Sequence, residues 1–139
     1  MSLLIRLVDR PTWLLGRAHA RAQQILSEAF GEAGVRGYHF RVLVALEELG
    51  PSSQAEIGRA AGMDRSDVAE TLADLDAWGL AVRRPDPKDR RRNVVSITEI
   101  GKIRLEELDA VLARVQDAVL GPLTPRERTT LVRLLRKIA

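Results

Sequence analysis

Apolar residues recur at three- and four-residue steps along most of the chain, a spacing that predicts helices. Leu15, Ala18, Ala22, Ile25 and Ala29 mark one amphipathic helix over residues 12–30, with Pro11 suited to its first turn. Leu3, Leu4, Leu7 and Val8 precede it as an apolar arm, either an extra turn or a partner contact. Gly31, Gly34 and Gly37 interrupt the pattern before a second helix over residues 38–48. That helix turns Leu43, Leu46 and Leu49 inward and stops at Gly50-Pro51. Ser53-Gln54-Ala55-Glu56 reads as a capping box, in which serine and glutamate each satisfy a backbone N–H of the other's residue. It opens a short helix through Ile57, Ala60 and Ala61. Gly62 permits a tight turn, Asp64 caps a further helix with Val68, Leu72 and Leu75 on one face, and Gly79 ends it.

Two short helices joined by a glycine-containing turn make a helix-turn-helix pattern. Leu80–Arg84 and Asn93–Ile97 follow as β-branched segments on either side of PDPKDRRR, predicting a hairpin with a long basic tip and both prolines in the loop. Thr98 caps a long helix to about Leu120, along which Leu105, Leu108, Leu112, Val115 and Val119 form a coiled-coil-like stripe. Gly121-Pro122 breaks it, and Thr124-Pro125-Arg126-Glu127 caps a last helix with Leu131, Leu134, Leu135 and Ile138 apolar. Helices at both ends of a compact unit point to a dimer built by the termini; packing within one chain is the plainer alternative.

Composition narrows the class. A chain of 139 residues, 45% hydrophobic and 29% charged, suits one globular domain. No apolar run approaches the roughly 20 residues of a membrane span. The start, MSLLIRLVDR, is too short and too interrupted by charge for a secretory segment, so a cytoplasmic location is the default. Cysteine is absent, which excludes disulfides, thiolate zinc sites and thiol redox sensing. Two histidines without cysteine do not make a metal site, and no nucleophile–base pair, phosphate loop or paired carboxylates stands out. No enzymatic activity and no cofactor are expected. The net charge of +3 is mild, but Arg83, Arg84, Lys88, Arg90, Arg91 and Arg92 crowd one segment. On a hairpin that directly follows the helix-turn-helix, that cluster reads as a phosphate footprint more readily than as a solvated loop.

At DRRRNVVSIT and GPSSQAEIGRAAGMDRSDVAETLADLDAWGLAVR the chain resembles the MarR family of winged-helix regulators. The resemblance runs from about Tyr38 to the C-terminus and more loosely through the first helix. It implies a mainly α fold of six helices with a two-stranded wing, in a triangular dimer joined by N- and C-terminal helices. On that reading residues 1–139 are one domain, residues 38–98 the DNA-binding lobe, and residues 1–34 and 99–139 the dimerisation helices. It also implies binding to pseudo-palindromic double-stranded operators, usually repression, and often release by small aromatic or phenolic acids. The lack of cysteine excludes the family's cysteine-oxidation branch. Glu70 departs from the basic residue that members often carry midway along the recognition helix. It would repel phosphate unless turned inward or paired, with Arg65 or Arg59 as candidates, or it would accept from a cytosine amino group.

Arg65, Ser66 and Asp67 occupy the first turn of the recognition helix, the part that reaches base edges. Arg65 can grip guanine with two hydrogen bonds; as a plain surface arginine it would pair with Asp67 or Glu70. Asp67 suits the helix dipole better than base reading. Ser53 and Gln54 can donate to a phosphate at the preceding helix N-terminus, though simple capping accounts for Ser53 equally well. By the resemblance, Arg91 fills the wing-tip arginine position, with Asp89 placed to orient it, and such an arginine suits a narrow minor groove. Arg90 and Arg92 would meet the DNA backbone. Trp13, Tyr38, His39 and Phe40, with Arg17 and His19 nearby, are conspicuous in a chain that is 4% aromatic. The resemblance implies ligand pockets between the first helices and the DNA-binding lobe, where arginine or histidine would hold a carboxylate between aromatic walls. Core or interface packing is the competing account of these residues, and Trp78 is expected to pack behind the wing. The expected activity is that of a dimeric repressor released by an aromatic ligand. The alternatives are an effector-independent architectural DNA binder and a winged-helix module that meets an acidic protein.

Overall fold

The computed structural model describes residues 4–139, so Leu3 of the expected apolar arm lies outside the described residues. The elements run α1 (Pro11–Glu32), α2 (Gly37–Leu49), α3 (Gln54–Ala61), α4 (Arg65–Ala77), β1 (Ala81–Asp86), β2 (Asp89–Ile97), α5 (Glu99–Val119) and α6 (Pro125–Ile138). The remainder of the arm is a run of turns in which Leu7 and Val8 donate to the Leu4 carbonyl and Arg10 to that of Leu7. None of the described helices is long and apolar enough to cross a membrane.

Helix ends follow local chemistry. Ser53 Oγ accepts from Glu56 N at 3.2 Å while Glu56 Oε1 accepts from Ser53 N at 3.4 Å, starting α3. Thr124 and Glu127 repeat the arrangement at α6, with Pro125 in its first turn. Gly79 closes α4 at φ 72°, and the Leu80 N–H reaches back to the Leu75 carbonyl in a Schellman closure with both leucines buried. Gly31 lies within α1 and Gly37 opens α2, so of the three glycines expected to interrupt the chain the break falls at Gly34.

The chain divides into two compact units, one of Phe30–Ala110 and one of the two ends up to Ala29 and from Val111. The first holds the core. Phe30, Val42, Leu43, Leu46, Ile57, Val68, Leu72, Leu75, Val95, Leu105 and Leu108 are all buried there, and Phe30 stacks on Phe40 at 5.5 Å. This unit extends beyond residues 38–98 at both ends, because Phe30 and the first turns of α5 pack into it. Leu49, expected inward, is exposed at the end of α2. In the other unit Val115 is the buried apolar residue among those described. There Arg21 donates to the carbonyls of Ala118 and Val119, closing the end of α5, and Arg128 pairs with Asp117 at 2.9 Å.

Leu105, Leu108 and Val115 are buried within a single chain, and Leu112 and Val119 are half-buried, so this face serves intramolecular packing first.

β1 and β2 are antiparallel, in register from Ala81 opposite Ile97 to Pro85 opposite Asn93. Pro85 sits inside β1 rather than in the loop, which the ribbon tolerates because β1 is an edge strand. The turn is only Pro87-Lys88. Ser52 bridges to Val95 through two backbone hydrogen bonds, fastening β2 to the start of α3.

Candidate nucleic-acid interface

The basic cluster occupies a register break. From Pro85 opposite Asn93 the ladder jumps to Asp86 opposite Asp89, so β1 advances one residue while β2 advances four. Arg90, Arg91 and Arg92 are the residues extruded. A bulge bends a strand and re-aims its side chains, and here it aims three guanidinium groups into solvent, the Arg91 side chain being 92% exposed. Asp89 Oδ1 accepts from both the Arg91 backbone N–H (3.1 Å) and its Nε (3.2 Å). That pair of bonds fixes the root of the arginine and leaves its terminal nitrogens outward; they also hold the Asp89 carboxyl below its ordinary range, the Arg91 side-chain bond contributing most. Asp86 accepts from Lys88 N at 2.9 Å and tightens the turn.

α3 and α4 are joined by Gly62, Met63 and Asp64, with Gly62 left-handed at φ 63°. Asp64 caps α4, taking Asp67 N at 2.8 Å and the Ser66 hydroxyl at 3.1 Å, and these bonds lower its pKa, the Asp67 N–H most. Asp64 is thus the cap expected of it, and Asp67 stands in the first turn of α4 as expected. Asp67 is instead pushed up, by desolvation first and then by the neighbouring Asp64. Ser53 is buried in its capping box, where its Oγ accepts from Glu56 N as the capping account has it. Gln54 is half-buried beside it, lining with Ala55, Gly58, Arg59, Met63, Arg65 and Val68 a groove of about 500 Å³ between the two helices. A Cβ on Gly58 would lie 3.3 Å from both the Met63 carbonyl oxygen and Val68 Cγ2, so glycine sets how closely α3 approaches α4. The groove brings Gln54 and Arg65 together and adds Arg59, a residue offered by the sequence only as a partner for Glu70.

The open face of α4 carries Arg65, Ser66, Ala69 and Ala73. Its acidic flank is turned elsewhere. Glu70 pairs with neither Arg65 nor Arg59 but with Arg36 at 3.5 Å, and Arg36 also reaches Asp74 at 3.6 Å. No local signal announces this, because the partners lie 34 residues apart.

The expected ligand-contact residues are divided between the two units, Trp13, Arg17 and His19 on α1 and Tyr38 and His39 on α2. On α1, Arg17 lies over the Trp13 ring at 6.0 Å. His19 is exposed about 200° further round the same helix, given steps of about 100°, so it does not share Arg17's face. In the other unit, Tyr38 lies under Arg41 at 5.4 Å. His39 is 2% exposed, with both ring nitrogens bonded inside its own unit, and this commits it to structure rather than to a ligand. Trp78 packs against His39, ring centroids 4.7 Å apart. Among the described residues no three His, Asp or Glu side chains gather as metal ligands would.

Comparison with known proteins agrees with this geometry. The MarR family profile matches residues 33–92. The chain is 32% identical over 125 residues to the HTH-type transcriptional repressor NicR of Pseudomonas putida, covering 90% of this chain and 79% of that protein. Among solved structures it resembles Bordetella bronchiseptica BpsR, whose DNA binding is regulated by 6-hydroxynicotinic acid, at 30% identity and a TM-score of 0.81 over 94% of this chain and 93% of that one. A probable transcriptional regulator from Pseudomonas aeruginosa is 32% identical with a TM-score of 0.83, over 94% and 98% of the two chains.

Proposed function

The chain belongs to the MarR family and is a DNA-binding transcriptional regulator, not an enzyme, and from that premise we propose that it is a homodimeric repressor of pseudo-palindromic operators released by a small aromatic acid. The wing carries this reading: three consecutive arginines extruded from the ladder, the central one held at its root by Asp89. Phosphate neutralisation by such a cluster supplies affinity without sequence preference. Preference then comes from Arg65 and the open face of α4 in the major groove, with Arg91 in the adjacent minor groove. Gln54, at the start of α3, meets a phosphate.

Dimerisation is supported by the unit formed from the chain ends. Ile5, Leu14, Leu15, Val132, Leu134, Leu135 and Ile138 are exposed on it, and nothing in α6 is buried. Apolar surface on that scale marks an interface, and a second copy is the occupant a two-fold operator calls for. For the effector, support comes from BpsR and its hydroxylated heteroaromatic acid, together with the Trp13–Arg17 pair, which offers a ring and a cation on one helical face.

The test is selection of bound duplexes from a random pool, followed by titration with 6-hydroxynicotinic acid and a panel of phenolic acids. An inverted repeat with half-sites about one turn apart, and weaker binding with a higher melting temperature on adding one of the acids, is the expected result. A pool that yields no preferred sequence would remove the regulator reading. An unchanged affinity and melting temperature across the whole panel would remove the effector, and so would an Arg17→Ala variant that still responds.

A further inference from the structure

His39 lies on α2, yet its ring is wired to the recognition helix. Nδ1 accepts the Arg36 backbone N–H at 2.8 Å, closing the first turn of α2, and Nε2 stands 2.9 Å from Asp74 Oδ2 on α4. A ring nitrogen that accepts an N–H carries no proton, and a carboxylate only accepts, so the pattern selects the neutral tautomer protonated at Nε2. The Asp74 carboxyl is held below its usual range, by the His39 hydrogen bond first and more weakly by Arg36. Trp78, at the end of α4, lies against the same imidazole. One buried ring therefore touches the start of α2 and both Asp74 and Trp78 at the last turn of α4.

What such a link adds to packing is direction. Val68, Leu72 and Leu75 hold α4 in the core by apolar contact, which resists separation more than rotation. A rotation of about 20° moves atoms on a helix surface, about 5–6 Å from the axis, by about 2 Å. Hydrogen bonds to base edges tolerate only a few tenths of an ångström.

We propose that His39 is a positioning residue of the DNA-reading helix: acting through Asp74, it sets the rotation of α4 and hence site preference rather than general DNA affinity. The proposal rests on the regulator reading above. Arg36 holds the outer side of the same carboxylate, but through a longer, exposed contact, so the buried imidazole is the directional member of the pair.

Two variants separate the roles of the ring. His39→Gln keeps an amide donor near the place of Nε2, whereas His39→Asn keeps an acceptor near Nδ1 and does not reach Asp74. Each full-length variant is titrated with the selected duplex and a scrambled duplex, melted, and followed by amide hydrogen exchange. Ring ¹⁵N resonances of the wild type report the tautomer. The expected result is a ring protonated at Nε2, near-normal preference in His39→Gln, and about tenfold loss of preference in His39→Asn, the scale of one hydrogen bond to a charged group. Binding to the scrambled duplex should hold, because the wing arginines are untouched, and α4 amides should lose protection only in His39→Asn. If His39→Asn does not fold, Asp74→Ala deletes the same bond from its outer partner and takes its place. Equal loss on both duplexes, full preference in His39→Asn, or a ring protonated at Nδ1 would each overturn the proposal. If the wild type itself does not distinguish the duplexes, the regulator reading falls. The exchange data then decide the positioning claim alone: unchanged α4 protection in His39→Asn overturns it, and selective loss supports it.

Discussion

At Arg91 two bonds from one carboxylate decide how a flexible side chain is presented. Asp89 restrains the first part of the side chain without covering its end, which would lower the entropy lost if the guanidinium enters a groove as proposed. Arg91→Ala should weaken operator binding, reduce the slope of log affinity against log salt by about 0.9 per protomer, and leave the preferred half-site core unchanged. Asp89→Ala should act as a weaker Arg91→Ala. Arg65→Ala should instead relax preference at one base position, costing roughly 1–3 kcal/mol. Titrations at several salt concentrations with single-base variants check all three; a core that shifts with Arg91→Ala and not with Arg65→Ala would reverse the groove assignment. Gly101 illustrates a different constraint. Its missing Cβ would collide with the Leu80 carbonyl oxygen and come within 2.8 Å of Ile97 Cγ1. Thr98 pins the same junction, accepting from Gly101 N at 3.0 Å and donating to the Gly79 carbonyl at 2.7 Å. Gly101→Ala should therefore destabilise by at least the 1–3 kcal/mol usual for overpacking, read from the denaturant midpoint.

Elements begin where short polar side chains meet orphan N–H groups, and that is why so much of the fold can be read locally. Ser53 with Glu56, Asp64, Thr98, and Thr124 with Glu127 all announce helix starts within four residues of sequence, and the structure uses each one. Signals that depend on distant partners could not be read that way. Pro85 looked like loop until Asn93 stood opposite it, and the arginine bulge exists only as a mismatch between two strands. Glu70 and Asp74 gained Arg36 and His39 from another helix. The stripe on α5 announced that an apolar face existed but not which surface it would meet. The caps also carry a pH dependence with a definite sign. Glu56, Asp64, Asp74 and Glu127 all have folded pKa values below their ordinary 4.5 or 3.8. Their contribution is complete above those values and is lost as pH falls through the lower, folded ones. Asp67 has the opposite sign, since the fold raises its pKa and its charge disfavours folding at neutral pH. Melting temperature should fall steeply on acidification below about pH 4. Asp67→Asn should raise it at pH 7, with the gain shrinking in acid; a variant less stable than wild type at pH 7 would contradict the sign.

For the whole molecule, the two units differ in how completely they satisfy their apolar residues. Phe30–Ala110 closes around its own core, although Ile100 and Ile103 on α5 stay 63% exposed, whereas the unit of the chain ends buries only Val115 among its described apolar residues and leaves Ile5 78% and Ile138 68% exposed. A chain folding alone would gain little from α6, whose Thr124 cap and basic last turn stabilise the helix without burying any of it. In the proposed dimer a second copy of the chain would cover these residues, and obligate interfaces bury upwards of roughly 2,000 Å². The location of the burden within the sequence then predicts which substitutions separate assembly from folding. Leu108 is fully buried in the lobe, so Leu108→Asp should unfold it through an unpaired buried charge. Leu134 and Ile138 are exposed in the single chain, so Leu134→Asp with Ile138→Asp should leave the lobe folded. The doubly substituted protein should sediment as a monomer at micromolar concentration and keep its helical circular dichroism. Its DNA affinity should drop because two half-sites are no longer engaged at once, which removes the gain in effective concentration that linkage gives. Binding to an isolated half-site duplex should match that of the wild type. A dimer that survives both aspartates would place the interface elsewhere than α6, and a half-site affinity that falls in parallel would mean the lobe had been damaged as well.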